Sequence, residues 1–210
     1  DILAKVERRM EIIKNEMIEI KEKYGDERKT VIEYANEEMN PEDFYADDEM
    51  VITISHLGYI KRTALSEFRT QSRGGVGSKG SDSRDEDFIE YIYQASMHNT
   101  MMFFTQKGRC YWLKVFQIPE GAKNAKGRAI QNLLNIDADD KVNAFITTKQ
   151  LNDEEFVKSH YLVFATKQGV IKKTSLEAYS RPRQNGVNAI VIREDDRLIQ
   201  VCLTDGNSEI

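Results

Sequence analysis

Two cysteines and three histidines are all that 210 residues supply. Cys110 and Cys202 are too few for a disulfide framework or a thiolate metal site. Both fall in apolar runs, so they are expected as buried, reduced thiols of a cytoplasmic protein. His56, His98 and His160 lie far apart, without the spacing of metal ligands, and read as ordinary residues. No apolar run approaches the roughly 18 residues of a membrane span, and no secretory pattern opens the sequence. Positive charge is also short in sum: 30 basic against 35 acidic residues leave a formal charge of −5. On an evenly mixed surface that balance would argue against a polyanionic partner.

The charge is not evenly mixed. Residues 1–49 are strongly acidic, and beyond them the sign alternates in blocks. Basic residues dominate 51–80 (only Glu67 opposes), 107–128 (only Glu120) and 167–193 (only Glu177), with acidic blocks between them. A local field follows such clusters, not the total. Three basic blocks at regular intervals would form one stripe if the fold repeats with the same period.

The period is legible. Leu3, Val6, Met10, Ile13, Met17, Ile20 and Tyr24 alternate spacings of three and four, an a/d heptad seam over 1–25 that predicts a coiled-coil helix closed by Gly25. Residues 26–50 read as an acidic linker broken by Pro41. From Val51 on, the helical period gives way to repeats of one signature: an apolar run, a Ser/Thr-x-x-Gly turn, then apolar and basic residues. The three copies turn at Gly58, Gly108 and Gly169, and each reads as a β-hairpin. Seven residues after each turn glycine stand Leu65, Val115 and Leu176; ten after stand Phe68, Ile118 and Tyr179. Gly75 and Gly186 both lie seventeen after theirs, whereas Lys126-Gly127-Arg128 falls two out of register. Repeats of 50 and 61 residues with several strands each predict propeller-like blades. Leu198–Gly206 reads as the start of a fourth, so the chain is expected to be a truncated piece of a longer array.

One stretch stands apart. Gln71-Ser72-Arg73-Gly74-Gly75-Val76-Gly77-Ser78-Lys79-Gly80 combines glycines with Arg73 and Lys79 and contains no acid. Backbone without Cβ atoms can approach an anion closely, and two fixed cations suit phosphate. Gly75–Gly80 also fits G-x-G-x-x-G, but the nucleotide-binding reading fails on context. The loop-like Ser81–Asp87 follows where a helix is required, and no acid occurs over 91–118. The phosphate-loop pattern fails because Ser78 precedes Lys79.

On these residues the chain resembles the A subunits of bacterial DNA gyrases, from the end of the coiled-coil tower into the C-terminal DNA-wrapping domain. The heptad helix running into Glu19–Thr30 is similar to the tower-to-linker junction. Ile52–Arg62 is similar to a first blade, and Lys172-Lys173-Thr174 with Tyr179–Gly186 to a later one. The glycine-rich stretch resembles the family's Q-[RK]-R-G-G-[RK]-G box: Gln71, Arg73, Gly74, Gly75 and Gly77 match, Ser72 and Val76 replace basic residues, and Lys79 supplies a displaced charge. The resemblance implies a mainly β fold of pinwheel blades over 51–210, about three plus the start of a fourth. It implies binding and wrapping of duplex DNA without sequence preference, in an ATP-dependent type II topoisomerase that introduces negative supercoils. Cleaving tyrosine and ATPase lie outside this stretch in the family, so no catalytic residue, metal or cofactor is expected here; ATP and Mg²⁺ act elsewhere. The expected partners are double-stranded DNA, the remainder of the same polypeptide, its second copy in the holoenzyme and the ATPase-bearing B component, with no membrane.

The expected DNA contacts are the box residues Gln71, Arg73, Gly74, Gly75, Gly77 and Lys79, together with a rim of Lys61, Arg62, Arg69, Lys107, Arg109, Lys114, Lys123, Lys126, Arg128, Lys172, Lys173, Arg181 and Arg183. The corresponding domain of topoisomerase IV is the alternative within the family, although it generally lacks a box. A protein-interaction propeller is the alternative outside it, and the basic blocks speak against that.

Overall fold

The computed structural model describes residues 5–27, 29–30, 40–68, 73–75, 86–148, 151 and 153–207. The chain divides into two compact units, residues 1–39 and 40–210.

In the first unit α1 spans Val6–Tyr24, with Glu7 in its first turn and Lys21 and Lys23 in its last, the arrangement that complements the helix dipole. Its seam is open: Val6, Met10, Ile13, Met17, Ile20 and Tyr24 are all exposed. Gly25 ends the helix in extended backbone, φ −70°, and not in the left-handed cap that a terminal glycine predicts. A glycine is still required there, because a Cβ would collide with the Lys21 carbonyl.

The second unit is built from β1 (Glu49–Ser55), β2 (Tyr59–Ala64), β3 (Ile89–Ser96), β4 (Thr100–Thr105), β5 (Arg109–Lys114), β6 (Arg128–Ala129), β7 (Val142–Thr148), β8 (Tyr161–Thr166), β9 (Ile171–Ser175), β10 (Val187–Asn188) and β11 (Leu198–Thr204). They form three sheets, ordered β3-β1-β2-β6, β10-β5-β4-β7 and β11-β8-β9. The three predicted hairpins are β1/β2, β4/β5 and β8/β9, all antiparallel and in one register: Ile54 opposite Ile60, Phe104 opposite Cys110, Ala165 opposite Ile171. Their turn glycines share a left-handed φ of 83°, 83° and 82°, the conformation glycine adopts without a Cβ penalty. The positions seven residues on, Leu65, Val115 and Leu176, each open a 3₁₀ turn.

Each hairpin gains a neighbour from the chain that follows it, as β3, β7 and β11. Leu198–Thr204 is therefore the third strand of the third sheet, pairing with β8, and not the opening of a fourth repeat. Two sheets gain a further strand from the next repeat: β6 pairs with β2, and β10 with β5. A short helix, α2 (Glu154–Ser159), precedes the third hairpin. Asp153 caps it by accepting from the N–H groups of Glu155 and Phe156.

The core lies between sheets. Ile52, Ile54 and Ile60 of the first sheet cluster with Met101, Phe103, Tyr111 and Phe145 of the second. The other face of the second sheet, with Met102, Phe104, Cys110 and Trp112, clusters with Leu162, Phe164, Leu198 and Val201 of the third. Phe104 meets Phe164 edge to face at 5.6 Å. Covered on both faces, β4 reads as an unbroken apolar run, Met101-Met102-Phe103-Phe104. Cys110 is buried, and burial pushes its thiol well above the ordinary range; Cys202 is exposed, against expectation, because its apolar strand covers the core with one face only.

Candidate nucleic-acid interface

The turns of the three hairpins are held by a carboxylate that the sequence repeat did not reveal. Asp87 Oδ1 accepts from the Leu57 and Phe88 N–H groups, Asp140 Oδ1 from Lys107 and Lys141, and Asp196 Oδ1 from Gln168 and Arg197. Within each turn the Ser55, Thr105 or Thr166 hydroxyl accepts from the backbone N–H four residues on. Burial pushes the Asp87 and Asp196 carboxyls up, but hydrogen bonds from Ser55 and Thr166 and from backbone N–H groups outweigh it and hold both below the ordinary value.

With the turns fixed, the basic residues separate into those committed within the fold and those that face solvent. Lys61 and Arg62 belong to the first group, and the structure corrects their placement on the rim. Both are buried. Lys61 Nζ donates to the Ala122 and Lys123 carbonyls at 3.0 and 2.6 Å. Arg62 donates through Nε to the Ile118 carbonyl at 2.7 Å and through Nη1 to Glu120 at 2.9 Å. A cation enclosed this way cannot also meet a phosphate.

Four more rim candidates are partly committed. Lys114 pairs with Glu42 at 2.5 Å and donates to the His98 carbonyl. Arg109 donates to Tyr111 Oη and to the Asn185 carbonyl. The hydrogen bond and charge of Asp139 raise the Lys107 ammonium above its ordinary value, at a separation of 2.5 Å. Lys172 Nζ donates to the Ala189 carbonyl at 2.7 Å. Lys123 and Lys173 lie over the Phe68 and Tyr161 rings, at 4.9 and 4.2 Å.

Lys126, Arg128, Arg181 and Arg183 remain. All four are exposed. They lie on the two segments that cross to the preceding sheet: Arg128 in β6 with Lys126 two residues before it, and Arg181 and Arg183 on the stretch leading into β10. The crossings are equivalent: Arg128 stands opposite Ile60 and Val187 opposite Cys110, the same position of each hairpin. Gly127 and Gly186 precede them with φ of 80° and 67°. A Cβ on Gly127 would reach the Ile60 carbonyl at 2.6 Å, and one on Gly186 the Cys110 carbonyl at 2.7 Å. The two-residue offset of Lys126-Gly127-Arg128 is thus an insertion before the crossing and not a different structure.

Of the box, Arg73, Gly74 and Gly75 are described. All three are exposed, and Gly74 has φ 81° with nothing within 4 Å of an added Cβ. Gln71, Gly77, Lys79 and Arg69 lie outside the described residues. Among the described residues there is no group of three His, Cys, Asp or Glu placed to hold a metal, and no helix long and apolar enough to cross a membrane.

Comparison with known proteins follows the same divisions. The family described as DNA gyrase C-terminal domain, beta-propeller, matches residues 49–96, 99–149 and 160–201, one segment per sheet. The chain belongs to this family. Over its whole length it is 41% identical to the DNA gyrase A protein of Aeromonas salmonicida and 43% identical to that of Clostridium acetobutylicum, spanning 22% and 25% of those proteins. Among solved structures, the C-terminal domain of DNA topoisomerase IV matches with a TM-score of 0.62 at 26% identity, over 77% of this chain and 47% of that one. The DNA gyrase A C-terminal domain matches with a TM-score of 0.58 at 20% identity, over 75% and 48%. Membership was legible in the heptad, the repeats and the box; the carboxylate clasps and the buried state of Lys61 and Arg62 were not.

Proposed function

We propose that this gyrase-family domain binds duplex DNA along the edge formed by its crossing strands and wraps it without reading sequence. The observation that carries this reading is the equivalence of the two crossings. Each bears two exposed cations, Lys126 with Arg128 and Arg181 with Arg183, that make no ion pair among the described residues. Exposed cations on equivalent crossings of adjacent sheets, flanking Gly127 in one and lying three and five residues before Gly186 in the other, suit a backbone of repeating phosphates. Contacts of that kind position the duplex and carry no sequence information. Bending a 20–30 base-pair site by 40–90° costs on the order of 1–6 kcal/mol by elastic estimates, so several spaced contacts are needed to offset it.

In this reading the chain is the DNA-handling part of the gyrase A protein of a type II topoisomerase, and it performs no catalysis alone. Strand cleavage, ATP hydrolysis and Mg²⁺ chemistry belong to other parts of the enzyme, which also contains a second gyrase A protein and the ATPase-bearing B component. The open seam of α1 fits a partner helix from that larger assembly. A second reading, the C-terminal domain of topoisomerase IV, is favoured by the TM-score and identity of that solved structure; the family match across all three repeats and the box favour gyrase. The test is binding to a long random-sequence duplex at several salt concentrations, with linking-number change as a second readout. Tight binding that falls steeply with salt and traps writhe is expected; no binding at low salt overturns the proposal.

A further inference from the structure

We propose that Arg109 is a positioning residue of this interface: it sets the turn that presents Arg181 and Arg183 and does not itself touch phosphate. The inference rests on the DNA-binding reading above and assigns a role within it. Arg109 opens β5, the strand on which the next repeat lays β10. That strand is only two residues long, Val187 opposite Cys110 and Asn188 opposite Arg109. So short a ladder fixes little by itself. The Arg109 guanidinium supplies a further tie: Nη2 donates to the Asn185 carbonyl at 2.5 Å, and Nε donates to Tyr111 Oη at 3.0 Å.

The group is held over the Tyr111 ring, 5.7 Å from its centroid, and Tyr111 is itself buried. Both ends of the fork are therefore committed, one to a rigid aromatic on the same strand and one to the incoming turn. A hydrogen bond with an ionised donor is shorter and about twice as strong as a neutral one. Within the turn, the Gly186 N–H donates to the Arg183 carbonyl at 3.0 Å. The carbonyls of Arg183 and Asn185 are thus both tied, while the Arg181 and Arg183 side chains stay exposed.

The first crossing repeats the arrangement with other residues. There Lys61 Nζ holds the Ala122 and Lys123 carbonyls, and the Thr63 hydroxyl donates to the Gly121 carbonyl at 2.8 Å, ahead of the two-residue β6. In both sheets a cation of the hairpin strand grips the carbonyls of the next repeat, and the next repeat's own cations face outward. The basic blocks of the sequence therefore contain two kinds of cation with separate tasks.

The test is a double-mutant cycle on the whole chain, binding a random-sequence duplex at several salt concentrations. The substitutions are Arg109→Met, Arg109→Lys and the pair Arg181→Gln with Arg183→Gln. The pair is expected to lower the salt slope by about 2, at roughly 0.9 per lost phosphate contact. Arg109→Met is expected to lower the slope in the natural background and to change nothing further once the pair is in place. Arg109→Lys is expected to behave like Arg109→Met, because an ammonium keeps the charge but not the planar fork.

Additive losses, or an Arg109→Lys variant that binds like the natural chain, would show that Arg109 meets phosphate and would overturn the assignment. So would a fall in melting temperature with binding unchanged, since Arg109 would then be structural only. If the natural chain fails to bind the duplex at low salt, the DNA reading itself fails and this inference goes with it.

Discussion

Asp87 illustrates how a single side chain holds the shape that every other contact depends on. Its Oδ1 accepts from two backbone N–H groups, at 3.0 Å each, Leu57 in the tip of the first hairpin and Phe88 just before β3, and so ties the two together. Removing an acceptor from part-buried donors costs about 1–3 kcal/mol. Asp87→Ala is therefore expected to lower stability by about that amount at neutral pH, read by urea or thermal unfolding. The pH dependence has a definite sign. The folded carboxyl lies below its ordinary value. Its contribution is thus complete above the ordinary carboxylate range and is lost as pH falls through the lower folded value. The deficit of Asp87→Ala is expected to shrink below about pH 4, the model-peptide range for Asp. A deficit that persists unchanged at acid pH would mean that the ionised carboxylate is not what holds the turn. The sequence hid this clasp for a simple reason: Asp87, Asp140 and Asp196 follow their turn glycines at three different distances, because the loops between differ in length.

The informative unit at the scale of elements is the crossing strand. Gly127 and Gly186 are glycines for two reasons at once, a left-handed φ and a carbonyl where a Cβ would lie. Left-handed backbone costs a non-glycine residue about 1–2 kcal/mol, and the collision adds to it. Gly186→Ala is expected to weaken the short β10 ladder first. Faster hydrogen exchange at the amides of Val187 and Asn188 would report this, with little change at the centre of β4. Equal exchange in variant and natural chain would show that β10 tolerates the shift. Hairpins and turn glycines were readable from sequence, since the φ requirement of the turn and the apolar runs of the arms are local. Strand exchange between repeats was not, because β6 and β10 are two residues long and carry no pattern of their own. Leu198–Thr204 misled for a related reason. An apolar run followed by Thr-Asp-Gly looks like the start of a hairpin, and only its pairing with β8 shows that it closes the third sheet.

At the level of the whole molecule, charge arranged by the fold matters more than charge in total. The sequence located the basic blocks correctly but could not sort their members, because reaching a carbonyl of the next repeat and reaching solvent look the same in one dimension. Lys61 and Arg62 sit in the same block as Arg73, yet the first two are enclosed and the third is exposed. This sorting separates two experiments that charge alone would treat as equivalent. Arg62→Met leaves the Ile118 carbonyl without its donor and Glu120 without its partner. It is expected to lower stability by about 1–3 kcal/mol with the salt slope of DNA binding unchanged. Replacing Lys126, Arg128, Arg181 and Arg183 together with Gln removes no hydrogen bond or ion pair among the described residues. Melting is expected to stay within about 0.5 kcal/mol for each such surface site, while the salt slope falls by about 3–4 through four lost phosphate contacts. A quadruple variant that binds with the natural slope would place the DNA on another surface, and an Arg62→Met variant with a reduced slope would return that buried arginine to the interface. The two outcomes together decide whether the crossing strands are the track that the duplex follows.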